Sequence, residues 1–431
     1  MKNDTSNAWS VLSRSLALAK KLENNEIVVV SATMIKRTTG REPRLMTKFD
    51  TRESRPASLR NWTILPISNG DYALLPGDGY FDLPAAGVPV PWQLPPLAAS
   101  IKTLPWKGSV QSESQSIDMA FASGILSDFL GDEALYLTIR GRLRSPKFDF
   151  SFLAGTTHFS LSSSGVQVEV DAGFEGKNIY LIEAKIGSRS NLHVRQLYYP
   201  FRMWNELVPD KKVSTVFLTY SDRVFSLFEF EFSPKTEYDS IRLKRRKDYL
   251  LSDSAERGLR IPSLQAAMLS TRPRRLPSSV PFPQADDIRK VIDVVDAVGN
   301  DISTTKDIAL LYDFDPRQAD YYRNATTFMG FTERAKTPGH FRLTRLGKKF
   351  VAGSYERRVE LLISSLSALP VFREGLEYMV DNDSVPDRER IAGWIYEKTN
   401  LAGTTPLRRA ATVQSWLQWI KNMATPRREG V

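Results

Sequence analysis

Residues 166–199 read VQVEVDAGFEGKNIYLIEAKIGSRSNLHVRQLYY, and the fold turns on this stretch. The run Ile179–Lys185 is apolar and long enough for a buried strand, yet it closes on Glu183-Ala184-Lys185. Side chains two apart in a strand share a face, so Glu183 and Lys185 point the same way from an otherwise apolar sheet. Buried charges are rare unless they are paired or bind a metal. Gly176-Lys177-Asn178 suits a three-residue hairpin loop, which sets Glu175 opposite Ile179, Gly173 opposite Leu181 and Asp171 opposite Glu183. Cross-strand Cβ atoms lie about 5 Å apart. Two carboxylates that close repel and raise one pKa unless a cation sits between them. A divalent metal is the natural resolution, and Lys185 adds a second positive group. Glu169 shares a face with Asp171 and is its local competitor, but the register favours Asp171.

Working outward, residues 111–130 have helical spacing, with Ile117, Ala120, Phe121, Gly124, Ile125 and Phe129 on one stripe and Glu113 a turn earlier. Strands are expected at 134–140, 148–152, 166–175 and 179–185. A helix over 192–207 and strands at 213–220 and 224–232 follow. This order is an α/β core with a mixed central sheet, assigned to residues 106–245. Residues 1–105 read as a mixed α/β N-terminal domain, with a possible part in DNA recognition. It has a helix over 7–22, a strand over 27–35 and a hairpin of 63–67 with 72–75. The proline-rich stretch 83–105 marks the boundary. Residues 242–284 read as a charged connection, with the basic linker itself at 246–284. It is either a solvated tether or a set of phosphate contacts. Residues 285–354 predict a winged helix: helices over 286–298, 307–312 and 316–329, then a hairpin of 331–335 with 340–344. Residues 355–431 predict a C-terminal helical domain. The fold class is therefore multidomain α/β.

The chain has 431 residues, 42% apolar and 25% charged, which is ordinary for a globular protein. Lys and Arg number 59 against 49 Asp and Glu, a net charge of +10 that favours an anionic partner. Cysteine is absent and histidine is confined to His158, His193 and His340. Disulfides, cysteine-ligated metals and a cysteine nucleophile are thereby excluded, and neither a His-rich metal centre nor a Ser-His-Asp triad is expected. No G-x-S-x-G elbow or G-x-x-x-x-G-K-[ST] loop occurs. Metal chemistry would rest on oxygen ligands, which suit magnesium, manganese or calcium. There is no signal-peptide pattern and no bilayer-spanning apolar run, so the expectation is a soluble, cytoplasmic chain without a membrane partner.

The Asp171-x11-Glu183-Ala184-Lys185 arrangement, with its helix before and its helix and two strands after, resembles the PD-(D/E)XK nuclease superfamily over about residues 110–232. Val170 stands where the motif has proline, a position that varies widely. Gln196 fits a glutamine that several of these families carry on the following helix, and it reads equally as a helix-surface polar residue. The whole chain further resembles type II restriction endonucleases that join such a core to helical DNA-binding modules. The stretch GREPRLMTKFDTRESRP followed by WTILPIS contributes to that likeness. The resemblance implies a restriction-endonuclease-like core that hydrolyses double-stranded DNA at specific sites and leaves 5′-phosphate ends. It also implies Mg²⁺, with Mn²⁺ as substitute, held by Asp171 and Glu183. Lys185 would position or deprotonate the attacking water. Glu113 is the candidate outer or second-metal carboxylate, with helix capping as the alternative and Asp118 as fallback. A homodimer and a cognate DNA methyltransferase complete the expected partners.

Further DNA contacts are expected from Arg140, Arg142 and Arg144, which alternate along one strand; a solubilising edge is the alternative. On the third helix of the winged region Arg317, Gln318, Tyr321, Arg323 and Asn324 suit base edges. The wing offers Arg334, Lys336, His340 and Arg342. Two other readings compete: a repair or structure-selective nuclease on the same core, and a non-catalytic winged-helix DNA-binding regulator.

Overall fold

A central sheet of seven strands organises the molecule: β1 Val90–Gln93, β2 Tyr136–Arg144, β3 Gln167–Glu175, β4 Ile179–Ile186, β5 Val213–Ser221, β6 Val224–Phe232 and β7 Ile241–Ser252. Their order is β1-β7-β6-β5-β4-β3-β2. The sheet is mixed, because β4 runs parallel to β5 and β7 parallel to β1 while the other pairs are antiparallel. The structure is a computed structural model and describes residues 2–84, 87–106, 110, 112–252, 264–312 and 314–424. Among these, no helix is long and apolar enough to cross a membrane.

β4 is buried along its whole length, as a continuous apolar run requires when both sheet faces are covered. Its even-numbered residues Ile182, Ala184 and Ile186 enter one apolar cluster, and Ile179 and Leu181 enter a second on the opposite face. The β3–β4 ladder has the predicted register: Glu175 faces Ile179 and Gly173 faces Leu181. It ends at Ala172–Ile182, one pair before Asp171 and Glu183. Gly173 has a packing reason, since a Cβ there would lie 2.7 Å from that of Ile139 on β2.

Several elements depart from their sequence reading. The helix expected over 7–22 divides into Lys2–Ser15 and Leu18–Glu23 at Ala17, which has φ 51°. The one expected over 111–130 divides into Glu113–Ala122 and Ile125–Leu130 at Gly124, with φ 79°; residue 111 lies outside the described residues. The strand expected over 27–35 stops at Ser31. The Ser31 hydroxyl accepts the Met34 N–H and caps a helix over Ala32–Thr39. The helix expected from 192 starts at Arg195, because Asn191–His193 pairs as a short strand with Tyr80–Asp82. A strand over Thr157–Ser163, absent from the sequence reading, pairs with Phe148–Ala154.

The charged connection is corrected at its start, since residues 242–252 belong to β7 inside the sheet. Lys244 and Arg245 pair with Glu229, Arg246 with Asp248, and Lys247 with Asp128. The proline-rich stretch likewise supplies an edge strand, β1, where Pro91 is tolerated. Residues 253–263 of the expected linker and 425–431 of the last domain lie outside the described residues.

Beyond the sheet, helices Ile288–Gly299, Thr305–Tyr312 and Pro316–Phe328 precede a hairpin of Thr332–Arg334 with Phe341–Leu343. Five more helices run from Arg345 to Ala424. One apolar cluster is continuous from Ile117, Phe129 and Ile182 to Val294, Leu362 and Trp416, so these helices share a core with the sheet. Polar ties reinforce that contact. Asp293 accepts from Ser221 Oγ at 3.0 and 2.9 Å and from the Ser188 N–H at 3.3 Å. Arg358 reaches Asp222 at 3.1 Å and Asp296 at 2.6 Å.

Candidate active site

The end of β4 carries the charged pair. Lys185 Nζ lies 2.6 Å from Glu183 Oε1 and 3.2 Å from Glu113 Oε1. Gln196, on the helix Arg195–Leu207, donates its Nε2–H to the same Glu183 oxygen at 2.5 Å. Asp171 stands where the β3–β4 ladder stops, and its Oδ2 accepts the Ala184 N–H at 2.9 Å. The aspartate thus replaces a ladder carbonyl, so the two carboxylates meet around Ala184 rather than as a paired cross-strand couple. Glu113 opens the helix Glu113–Ala122. Capping falls to Ser112, whose hydroxyl accepts the Gln115 N–H, and this leaves Glu113 free to reach Lys185.

Electrostatics follow from burial. Glu183 is 8% exposed, and burial pushes its carboxyl up to about 8; Lys185 pulls it down, while Asp171 and Glu113 add repulsion. Burial also raises Glu113. Burial works against charge on Lys185, yet the carboxylates of Glu183, Glu113, Asp50 and Asp171 outweigh it and hold the ammonium. One buried cation, Lys185, therefore serves both Glu183 and Glu113.

Among the described residues no group of three or more Asp, Glu or His side chains is assembled as a ligand set. Lys185 explains this, since its ammonium holds Glu183 and Glu113 to itself. The donor chemistry still fits a hard divalent cation at Asp171 and Glu183: the donors are oxygens, and Glu183 shares its one counter-ion, Lys185, with Glu113. Gln196 Oε1 is also buried without a hydrogen-bond partner, an acceptor open to a water.

A cavity of about 270 Å³ opens over these groups. Glu113, Asp171, Glu183 and Lys185 line one side, and Arg44, Thr47 and Lys48 with the turn Ser68–Gly70 of the N-terminal region line another. Arg195 and Gln196 complete it. Sequence reasoning missed Arg44, Lys48 and Arg195. The basic stretch 37–48 and the neighbour of Gln196 were the available signals.

Other candidates lie elsewhere or are engaged. Glu169, the competitor of Asp171, lines the cavity but turns to Arg142 at 3.3 Å and Arg44 at 3.4 Å. Asp118, the fallback for Glu113, pairs with Arg140 at 2.5 Å. Both Arg140 and Arg142 are thus ion-paired along β2, the sheet edge. In the C-terminal region Gln318 closes a capping box by accepting the Asp315 N–H. Arg323 pairs with Asp320 at 2.8 Å and packs 4.1 Å over the Phe341 ring. Arg342 pairs with Glu333 at 2.8 Å. Arg317 is exposed and Asn324 half-buried, and neither lines the cavity. His193 is buried, accepts the Arg195 N–H and packs against Tyr80 with ring centres 4.6 Å apart and planes tilted by 54°, a packing role.

Three family models match successive parts of the chain, each described as a domain of unknown function: DUF6996 over residues 6–74, DUF6997 over 77–250 and DUF7226 over 290–425. None of these descriptions names an activity. No curated protein and no solved structure matches the chain.

Proposed function

We propose that the chain is a Mg²⁺-dependent endodeoxyribonuclease of the type II restriction kind, with a restriction-endonuclease-like core. One observation carries this reading: Glu113, Asp171, Glu183, Lys185 and Gln196, drawn from four separate elements, converge on one basic-rimmed cleft. A salt bridge on a strand surface would not need a buried carboxylate at a broken ladder end.

Asp171 and Glu183 would hold Mg²⁺, or Mn²⁺ in its place. When bound, such an ion lowers the pKa of its water and stabilises charge on phosphate oxygens. Lys185, held as an ammonium, orients the attacking water and offsets the negative charge that grows on the phosphoryl oxygens. Gln196 Oε1 accepts a hydrogen from that water. Water attacks phosphorus in line, the 3′ oxygen leaves, and the product carries a 5′ phosphate. The winged helix and the N-terminal region supply DNA contacts in this reading, with Arg317 and Asn324 on the helix Pro316–Phe328 as its candidates for base edges. Cutting both strands calls for two such sites, hence a homodimer, and a cognate methyltransferase is the companion in this reading.

Digestion of plasmid DNA with and without Mg²⁺, with the fragment ends sequenced, tests this. Repeated discrete ends support a restriction enzyme. Scattered ends favour a structure-selective nuclease on the same core. Absence of cutting with intact DNA binding favours the winged-helix regulator.

A further inference from the structure

Arg195 is the first residue of its helix, half-buried, and lines the cleft beside Gln196. Its guanidinium has no hydrogen-bond or ion-pair partner among the described residues, while its own N–H goes to His193 Nδ1 at 3.2 Å. Its charge is felt throughout the neighbourhood. Burial first and Arg195 next hold His193 well below the usual imidazole range, and Arg195 also acts on Tyr80 and Tyr199. None of its guanidinium nitrogens is among the buried unpartnered atoms, so the group stays open to the cleft and available to an anion there.

From the N-terminal region, Lys48 has Asp50 at 3.8 Å as its one ion-pair partner among the described residues, and Arg44 reaches Glu169 at a long 3.4 Å. Three weakly held cations therefore line the same cavity of about 270 Å³ as the carboxylate cluster. The cavity they line has room for a phosphodiester group. A guanidinium fork matches the two free oxygens of a phosphodiester, and a flexible lysine adds a point charge.

We propose that Arg195, together with Lys48 and Arg44, forms a phosphodiester subsite that grips the DNA backbone next to the phosphate being cut. This rests on the nuclease reading above. In it the N-terminal region is half of the catalytic cleft, and Arg195 is a positioning residue that registers the strand against Lys185.

The test uses the full-length protein and a labelled DNA duplex. Binding is titrated in Ca²⁺ over a series of salt concentrations, and cleavage is followed in Mg²⁺. Arg195→Gln should weaken binding about tenfold, the scale of one charge-assisted contact. The slope of log K against log salt should become shallower by about 0.9, the value of one phosphate contact. Lys48→Gln should act in the same direction. Arg195→Lys should keep the wild-type slope, and the loss in Mg²⁺ should fall on KM more than kcat. Unchanged thermal melting keeps a folding defect out of the comparison. Wild-type affinity and slope in Arg195→Gln, with normal cleavage, would overturn the subsite and leave the nuclease reading intact. Loss of cleavage with an unchanged slope would also overturn it. A wild-type protein that neither binds nor cuts DNA would remove both.

Discussion

A lysine ammonium shared by two carboxylates governs the chemistry at the single-residue scale. Asp171→Asn and Glu183→Gln should each abolish cleavage while gel shifts in Ca²⁺ still show binding; wild-type cutting by either would remove the active-site assignment. Lys185→Met should lose cleavage and also destabilise the fold. It strips the buried Glu183 of its counter-ion, and removing one partner of a buried pair costs on the order of 3–5 kcal/mol. Adding Glu183→Gln to Lys185→Met should recover most of that stability without restoring activity, as denaturant titration would show. The trio Asp171, Glu183 and Lys185 was legible because it depends on a three-residue loop and strand alternation, both short-range. What sequence could not show was the Ala184 N–H turning to Asp171 in place of the next ladder pair. Arg195 was equally hidden, since the lack of a partner is a property of three dimensions.

At the scale of elements, the ties around the Ser221–Asp222 turn make a pH prediction. Burial raises Asp293 to about 7, repulsion from Asp296 and Asp222 adds to this, and the hydrogen bond from Ser221 opposes it. A raised carboxyl keeps its proton in the folded state after the unfolded chain has lost it. Its stabilisation is therefore complete below about pH 4, the ordinary Asp range, and fades as pH climbs to about 7. Asp293→Asn does not titrate. The wild-type melting temperature should fall relative to that variant between those two values and run parallel above. A constant difference across the range would show that Asp293 is ionised throughout. Element types in the core were legible wherever period was strong, as in β4. They failed where a local device overrode period: a left-handed residue at Ala17, glycine at 124, a serine cap at 31. β7 failed for another reason. IRLKRRKDYLLS reads as a polar tether, and only its partners Glu229 and Asp128 on other elements make it a strand.

For the whole molecule, three family matches in series suggest beads on a string, but the apolar cluster shared by the sheet and the C-terminal helices argues for joint unfolding. Calorimetry should show the sheet and those helices melting together. Arg358→Met should divide or broaden that transition, because Arg358 is 2% exposed and bridges Asp222 beside β5 to Asp296 on the helix Ile288–Gly299. A single sharp transition in the variant would place the coupling in the apolar contact alone. For the same reason removal of residues 285–431 should yield insoluble protein, since it strips the helix Ile288–Gly299 from β5 and leaves part of their shared apolar cluster bare.

The free rim of the sheet has its own consequence. Among the described residues no strand pairs with the outer side of the nine-residue β2, and Tyr136 and Leu137 are open to solvent. Such a rim is a template for accretion of further chains. Here two irregularities in the β2–β3 register twist it, and Arg140, Arg142 and Arg144 load it with charge. Charged side chains, Arg140 and Arg142 in ion pairs with Asp118 and Glu169, make such a rim a poor template. Their replacement by threonine should turn a clear solution turbid at concentrations where the parent chain stays dispersed.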